Sequence, residues 1–239
     1  MSSDSIGGRA DEPRPAGAPG AGPLRGSAPP WRPQTLRQRY RPLLEGVALL
    51  GVTFPLAVGL RIPTLWFLAP LALITFTNRS YATYGLTWQR PGSIGFHAAT
   101  ILAVFPAYVL GHYALAHWWF GASFHFRWPP DFAESAADQV LAIALPEEFF
   151  FRGYLQTECD RVFGTPYRVL GAGCGPGLPL AAAVFAACHI LFGGPARLIV
   201  FFPALLYGWL RARTSTIAVP VAYHALSNLL MSVMVASLS

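Results

Sequence analysis

An all-α, polytopic membrane bundle of about seven to eight transmembrane helices is the fold class this sequence predicts. Three observations point to it. Of the 239 residues, 54% are hydrophobic and only 12% are charged, whereas roughly a quarter of the residues in a soluble domain are charged. The charges are unevenly placed: residues 1–42 hold seven of the 17 arginines and three of the 11 acidic residues, and most of the others sit at the edges of apolar runs, as lipid solvation requires. From residue 43 onward the chain alternates apolar blocks with short links that carry arginine or proline. Net charge is +6, but the basic residues are all arginines, scattered instead of forming a stripe, so no nucleic-acid partner is expected. Cys159, Cys174 and Cys188 are odd in number and lack a CxxC spacing, which indicates neither a disulfide framework nor a zinc knuckle.

Residues 1–36 are rich in Gly, Pro, Ala and Arg without apolar periodicity, and are expected to form a disordered cytoplasmic tail. Arg37, Arg39 and Arg41 then anchor the first apolar run. Runs follow at about 43–60, 64–77, 95–119 (ending in HWWF, whose Trp118 and Trp119 suit a membrane interface), 135–156, 178–193, 196–210 and 216–236. An eighth, partial or interfacial helix is expected within 78–94 or 160–176. With a cytoplasmic N-terminus, Arg79, Arg90, Arg161, Arg168, Arg211 and Arg213 fall on the cytoplasmic side and Arg61, Arg127 and Arg197 on the other, a bias that supports N-in and C-out.

Ionisable residues at membrane depth are costly and mark functional sites. Glu147 and Glu148 lie well inside the 135–156 helix, just after Pro146, whose ring is expected to bend the axis. Arg152 shares a face with Glu148 at i,i+4, while Glu147 is turned by about 100° from its neighbour, which predicts a division of roles. One carboxylate would face a polar cavity and the other would tie down structure. On later runs His189 lies four residues after Phe185, and His224 four before Asn228. A carboxylate and an imidazole can share a water, take its proton and aim it at a carbonyl, while a second imidazole and an amide stabilise the oxyanion. The alternatives are an ion pair that only locks helices, and a metal site built from Glu147, His189 and His224, for which the spacing carries little information and no HExxH is present.

These motifs resemble those of the intramembrane glutamic endopeptidases of the CPBP (CAAX protease and bacteriocin-processing, or Abi) family. Its EExxxR is similar to Glu147, Glu148 and Arg152, followed by Gly153; its FxxxH to Phe185 and His189; its HxxxN to His224 and Asn228, after an approach RARTSTIAVPVAYH of the family's kind. The resemblance spans about residues 95–236, within an expected transmembrane protease domain over 37–239. It implies an endopeptidase acting on a membrane-anchored or lipidated protein near its C-terminal end, with Glu147 and His189 activating water, His224 and Asn228 forming the oxyanion site, and Glu148, Arg152 and Phe185 supporting them. The glutamic mechanism needs no metal and no cofactor is expected. The absence of lysine and the Ala, Gly, Pro and Arg bias look like a high-GC bacterial gene, hence the inner membrane, and some bacterial relatives look like myxosortase-like or CTERM-associated sorting enzymes. A non-catalytic immunity or chaperone protein on the same scaffold and a transporter are the competing readings.

Overall fold

The computed structural model describes residues 35–87, 92–130 and 132–239. The expected tail, except for residues 35 and 36, lies outside the described residues, as does Arg90. Helices α1 (Leu36–Gly59) and α2 (Leu65–Phe76) pack together as the first pair. At the end of α1 the Ile62 N–H bonds the Ala57 carbonyl (3.0 Å) and the Arg61 N–H bonds that of Val58 (3.2 Å), with Arg61 at φ 56°. This is the double closure of a Schellman cap, with arginine in the left-handed position that glycine normally fills. A 3-10 turn (Tyr81–Tyr84) follows α2. Helix α3 (Ile94–Phe120) begins where the Ser93 hydroxyl accepts from the Phe96 N–H (3.1 Å) and ends at Gly121, φ 68°.

The centre of the molecule is a continuous helical rod over 132–163, in which α4 (Phe132–Asp138), α5 (Leu145–Glu148) and α6 (Gln156–Phe163) alternate with π-helical turns at Gln139–Ala144 and Phe149–Leu155. A short antiparallel hairpin follows, β1 (Tyr167–Val169) and β2 (Ala172–Cys174), in register Arg168↔Gly173. Helices α7 (Gly177–Gly193), α8 (Phe201–Thr214, after a 3-10 turn at Pro195–Val200) and α9 (Ala218–Ser237) complete the described residues. The main core joins Phe150, Phe151 and Leu155 of the rod to Trp66 of α2, to Ala181, Ala182 and Phe185 of α7, and to Ala204 of α8. Alanines at these contacts let the helix axes approach closely enough for van der Waals packing to hold the bundle.

The expectation of seven to eight transmembrane helices is overturned. Among the described residues three helices, α1, α3 and α9, are long and apolar enough to cross a membrane. The apolar blocks are mostly helical, but several are too short to span. At 1.5 Å per residue the 12 residues of α2 and the 14 of α8 extend about 18 and 21 Å, short of the roughly 30 Å hydrocarbon layer. The rod is interrupted by charges and π turns, and residues 160–176 hold the end of α6 and the hairpin instead of an interfacial helix. On α3, Leu102, Leu110 and Leu115 point away from the protein, as lipid-facing side chains do.

A buried polar knot fastens the rod to the N-terminal helices. Glu158, fully buried, accepts from the Tyr84 hydroxyl, from Arg79 (3.2 Å) and from Arg161 (2.9 Å), and Arg79 continues to Glu45 on α1. Beside it, burial raises the Asp160 carboxyl to about 6, against a smaller opposing pull from Arg211. The folded state therefore holds this proton more tightly than the unfolded chain. The contribution of Asp160 to stability is fullest below the unfolded carboxyl range near pH 4, falls as pH rises to about 6, and then levels off. Asp160→Asn removes that fall and stabilises the protein at pH 7.5 by no more than about 2 kcal/mol. Thermal unfolding of wild type and Asp160→Asn in detergent between pH 4 and 8 checks it; a difference between the two that does not change with pH overturns it.

Candidate active site

The rod carries Glu147 and Glu148 on the short α5, with a π turn on either side. Pro146 offers no N–H to the preceding turn, and local π geometry is how a membrane helix absorbs such a break; π turns also recur at functional sites. The expected bend at Pro146 is thus taken up as wider turns before and after the acidic pair. The change of pitch leaves Glu148 and Arg152 on one face: the Arg152 guanidinium donates to Glu148 Oε1 at 2.8 Å.

Glu148 is fully buried and Arg152 is 1% exposed. Arg152 also donates to the Ala204 carbonyl at 3.3 Å and lies over the rings of Phe185 (4.3 Å) and Tyr207 (5.3 Å), so aromatic faces take up the part of its charge that Glu148 does not. His224 approaches from α9 and places Nδ1 2.8 Å from the same Glu148 oxygen. A carboxylate only accepts, so Nδ1 carries the hydrogen and Nε2 is left facing Glu147 Oε2 at 3.9 Å, beyond hydrogen-bond length. The two carboxylates diverge, as their spacing requires, yet they meet opposite nitrogens of one imidazole.

Glu147 and His189 line a common cavity of about 410 Å³ with Trp66, Phe151 and Cys188. Glu147 Oε2 is buried and has no hydrogen-bond partner within the protein. His189 donates Nδ1–H to the Phe185 carbonyl (2.9 Å), which fixes the tautomer and leaves the Nε2 lone pair for another proton. Phe185 also sets ring positions, lying tilted against His189 at 4.3 Å and meeting His224 edge-on at 6.0 Å.

Asn228 makes no hydrogen bond to the acidic pair. Its amide donates to Gln139 on the first π turn at 2.7 Å, which leaves one N–H of the two. Sequence reasoning missed Gln139, and it missed Tyr207, whose ring stacks on His224 at 5.1 Å and 16° and whose hydroxyl donates to Ser227 (2.7 Å). The available signal was polarity within apolar runs. Ser227 in turn donates to the Tyr223 carbonyl, so its oxygen is engaged in holding Tyr207. Of the metal alternative, no group of three or more His, Cys, Asp or Glu side chains among the described residues is placed to hold a metal ion, and Glu147, His189 and His224 do not form a ligand set.

No curated protein and no solved structure matches the chain. A family model does match, over residues 132–230: the type II CAAX prenyl endopeptidase, Rce1-like. That stretch runs from the start of the rod into α9 and contains all three paired motifs together with Gln139 and Tyr207. Residues 132–230 are therefore a CAAX-protease, Rce1-like domain of the broader CPBP/Abi family, carrying a buried cluster of glutamate and histidine.

Proposed function

We propose that this chain is a glutamic-type endopeptidase of the bacterial inner membrane, with a cytoplasmic N-terminus, that hydrolyses a peptide bond near the C-terminal anchor or lipidated end of a membrane protein. The observation that carries this reading is Glu147, whose Oε2 has no hydrogen-bond partner within the protein and whose side chain lines a cavity together with a histidine of fixed tautomer. In the proposed reaction Glu147 and His189 hold a water between them and take its proton as the oxygen attacks the scissile carbonyl. The second N–H of Asn228 and Nε2 of His224 then stabilise the oxyanion. Nε2 donates only when the His224 ring bears both protons, and Glu148 on the opposite nitrogen balances that charge. The proton taken from water passes to the departing amine. Arg152 and Phe185 hold Glu148, His189 and His224 in place, and no cofactor enters the scheme.

The test compares membrane proteomes of cells expressing wild type and E147A by mass spectrometry. Accumulation in E147A of a membrane protein whose C-terminal segment persists is the expected result, with the same accumulation in H189A and H224A. Identical proteomes together with full rescue of a deletion strain by E147A would favour the non-catalytic immunity or chaperone scaffold, and Glu147-dependent solute uptake in proteoliposomes would favour a transporter.

A further inference from the structure

The cavity of Glu147 has a second chemical character that hydrolysis does not use. Two guanidiniums, Arg61 and Arg197, stand in its wall from opposite parts of the chain: Arg61 from the α1–α2 link, Arg197 from the 3-10 turn before α8. Neither side chain is in an ion pair or hydrogen bond among the described residues. Glu147 is the sole acidic residue of the lining. Two independent features hold these cations there. Arg61 occupies the left-handed closing position of α1 at φ 56°, where a side chain is strained relative to glycine. Strain of this kind collects where a side chain is needed at a site. Arg197 lays its stem across Gly193, where a Cβ would come within 2.7 Å of Arg197 Cγ, so a glycine at the end of α7 makes the room.

We infer that Arg61 and Arg197 bind a carboxylate carried by the peptide substrate close to its scissile bond, and so set which substrates reach Glu147. The inference rests on the hydrolytic reading. Guanidinium forks match carboxylate geometry through paired N–H donors. The carboxylate is assigned to the substrate because the arginines line the same cavity as Glu147 and His189, where the reacting bond must come. It comes either from a free C-terminus or from an Asp or Glu side chain in the tail, and a strongly basic tail is the one this wall disfavours. Arg61 lies outside the Rce1-like stretch, so the N-terminal helices contribute selectivity to a reaction centre built by the rest of the chain.

Three model peptides decide it, each with one apolar span and a short polar tail. The first has a free carboxyl end and no acidic side chain; the second is the same with an amidated end; the third is amidated with one Asp in the tail. Binding to E147Q in phosphatidylcholine nanodiscs is read by fluorescence anisotropy, and cleavage by wild type is followed in parallel. The amidated peptide lacking Asp is expected to bind roughly tenfold more weakly than the first peptide, the third, or both, and to show a KM raised by the same factor. The third peptide tells the two carboxylate sources apart. In R61G and R197Q the ratio is expected to fall toward one. R61G is informative because glycine suits the backbone there, so a loss cannot come from a disturbed helix end. Equal binding of the three peptides, binding of none, or a preference that survives both substitutions overturns the inference. So does a preference that vanishes when phosphatidylglycerol replaces phosphatidylcholine, since the arginines would then serve an anionic lipid headgroup. Peptide bound with the preference but never cut removes the hydrolytic reading and leaves this one, and cutting without preference does the reverse.

Discussion

Replacing Glu147 by Gln lowers kcat for hydrolysis of a membrane peptide by about a thousandfold, within the 10²–10⁴ range expected when a positioned acid-base group is removed. Folding is expected to be unaffected, because Glu147 Oε2 has no partner in the protein and its nearest imidazole nitrogen is 3.9 Å away. An amide of the same shape keeps the cavity and removes only the ability to take a proton. Glu148→Gln differs, since it disturbs a carboxylate that holds both Arg152 and His224. Single-turnover cleavage alongside thermal unfolding separates the two cases: E147Q cleaves about a thousandfold more slowly with an unchanged melting temperature, whereas E148Q loses both activity and stability. Wild-type turnover by E147Q would overturn the assignment of the proton acceptor.

Arg152→Met is expected to cost about 3–5 kcal/mol of stability, the range for removing one member of a buried ion pair and leaving the other uncompensated. Methionine has similar reach and fills much of the space, so the loss is electrostatic more than steric. Glu148 would keep His224 as its partner, and the double variant R152M/E148Q should recover a large part of the loss because no unpaired charge remains. Failure of the double variant to recover stability in detergent melts would show that the contacts of Arg152 with Phe185, Tyr207 and the Ala204 carbonyl carry the cost instead.

Helical content was legible in the sequence because apolar blocks and their arginine-bearing links are one-dimensional features. Span number was not, since hydropathy does not tell a 12-residue helix buried against protein, such as α2, from one that crosses lipid. The pairing of Glu148 with Arg152 followed from helical spacing alone and survives in a π turn. Its meeting with His224 needed the packing of α9 against the rod, which no local pattern encodes. Glu147 and His189 could be read as cavity residues from their cost in an apolar run, while Tyr207 looked like ordinary core and Gln139 like a helix surface residue. Arg61 was legible only as a topological marker, because its backbone conformation and its place in the cavity wall both depend on where α1 stops.

The two π turns of the rod have a consequence for how related chains should be aligned and altered. A π turn amounts to an α-helix with one residue inserted and absorbed locally, so the residues on either side of it keep their faces. Deleting one position between Gln139 and Ala144 would restore ordinary winding and leave Gln139 and Glu147 facing nearly as before, since one step fewer at about 100° offsets the tighter winding. A deletion between Phe149 and Arg152 would make Arg152 i,i+3 to Glu148, a spacing that still shares a face. In this rod the turns give slack in length, and homologues that keep every motif letter but lack one residue inside a π turn keep the same aim.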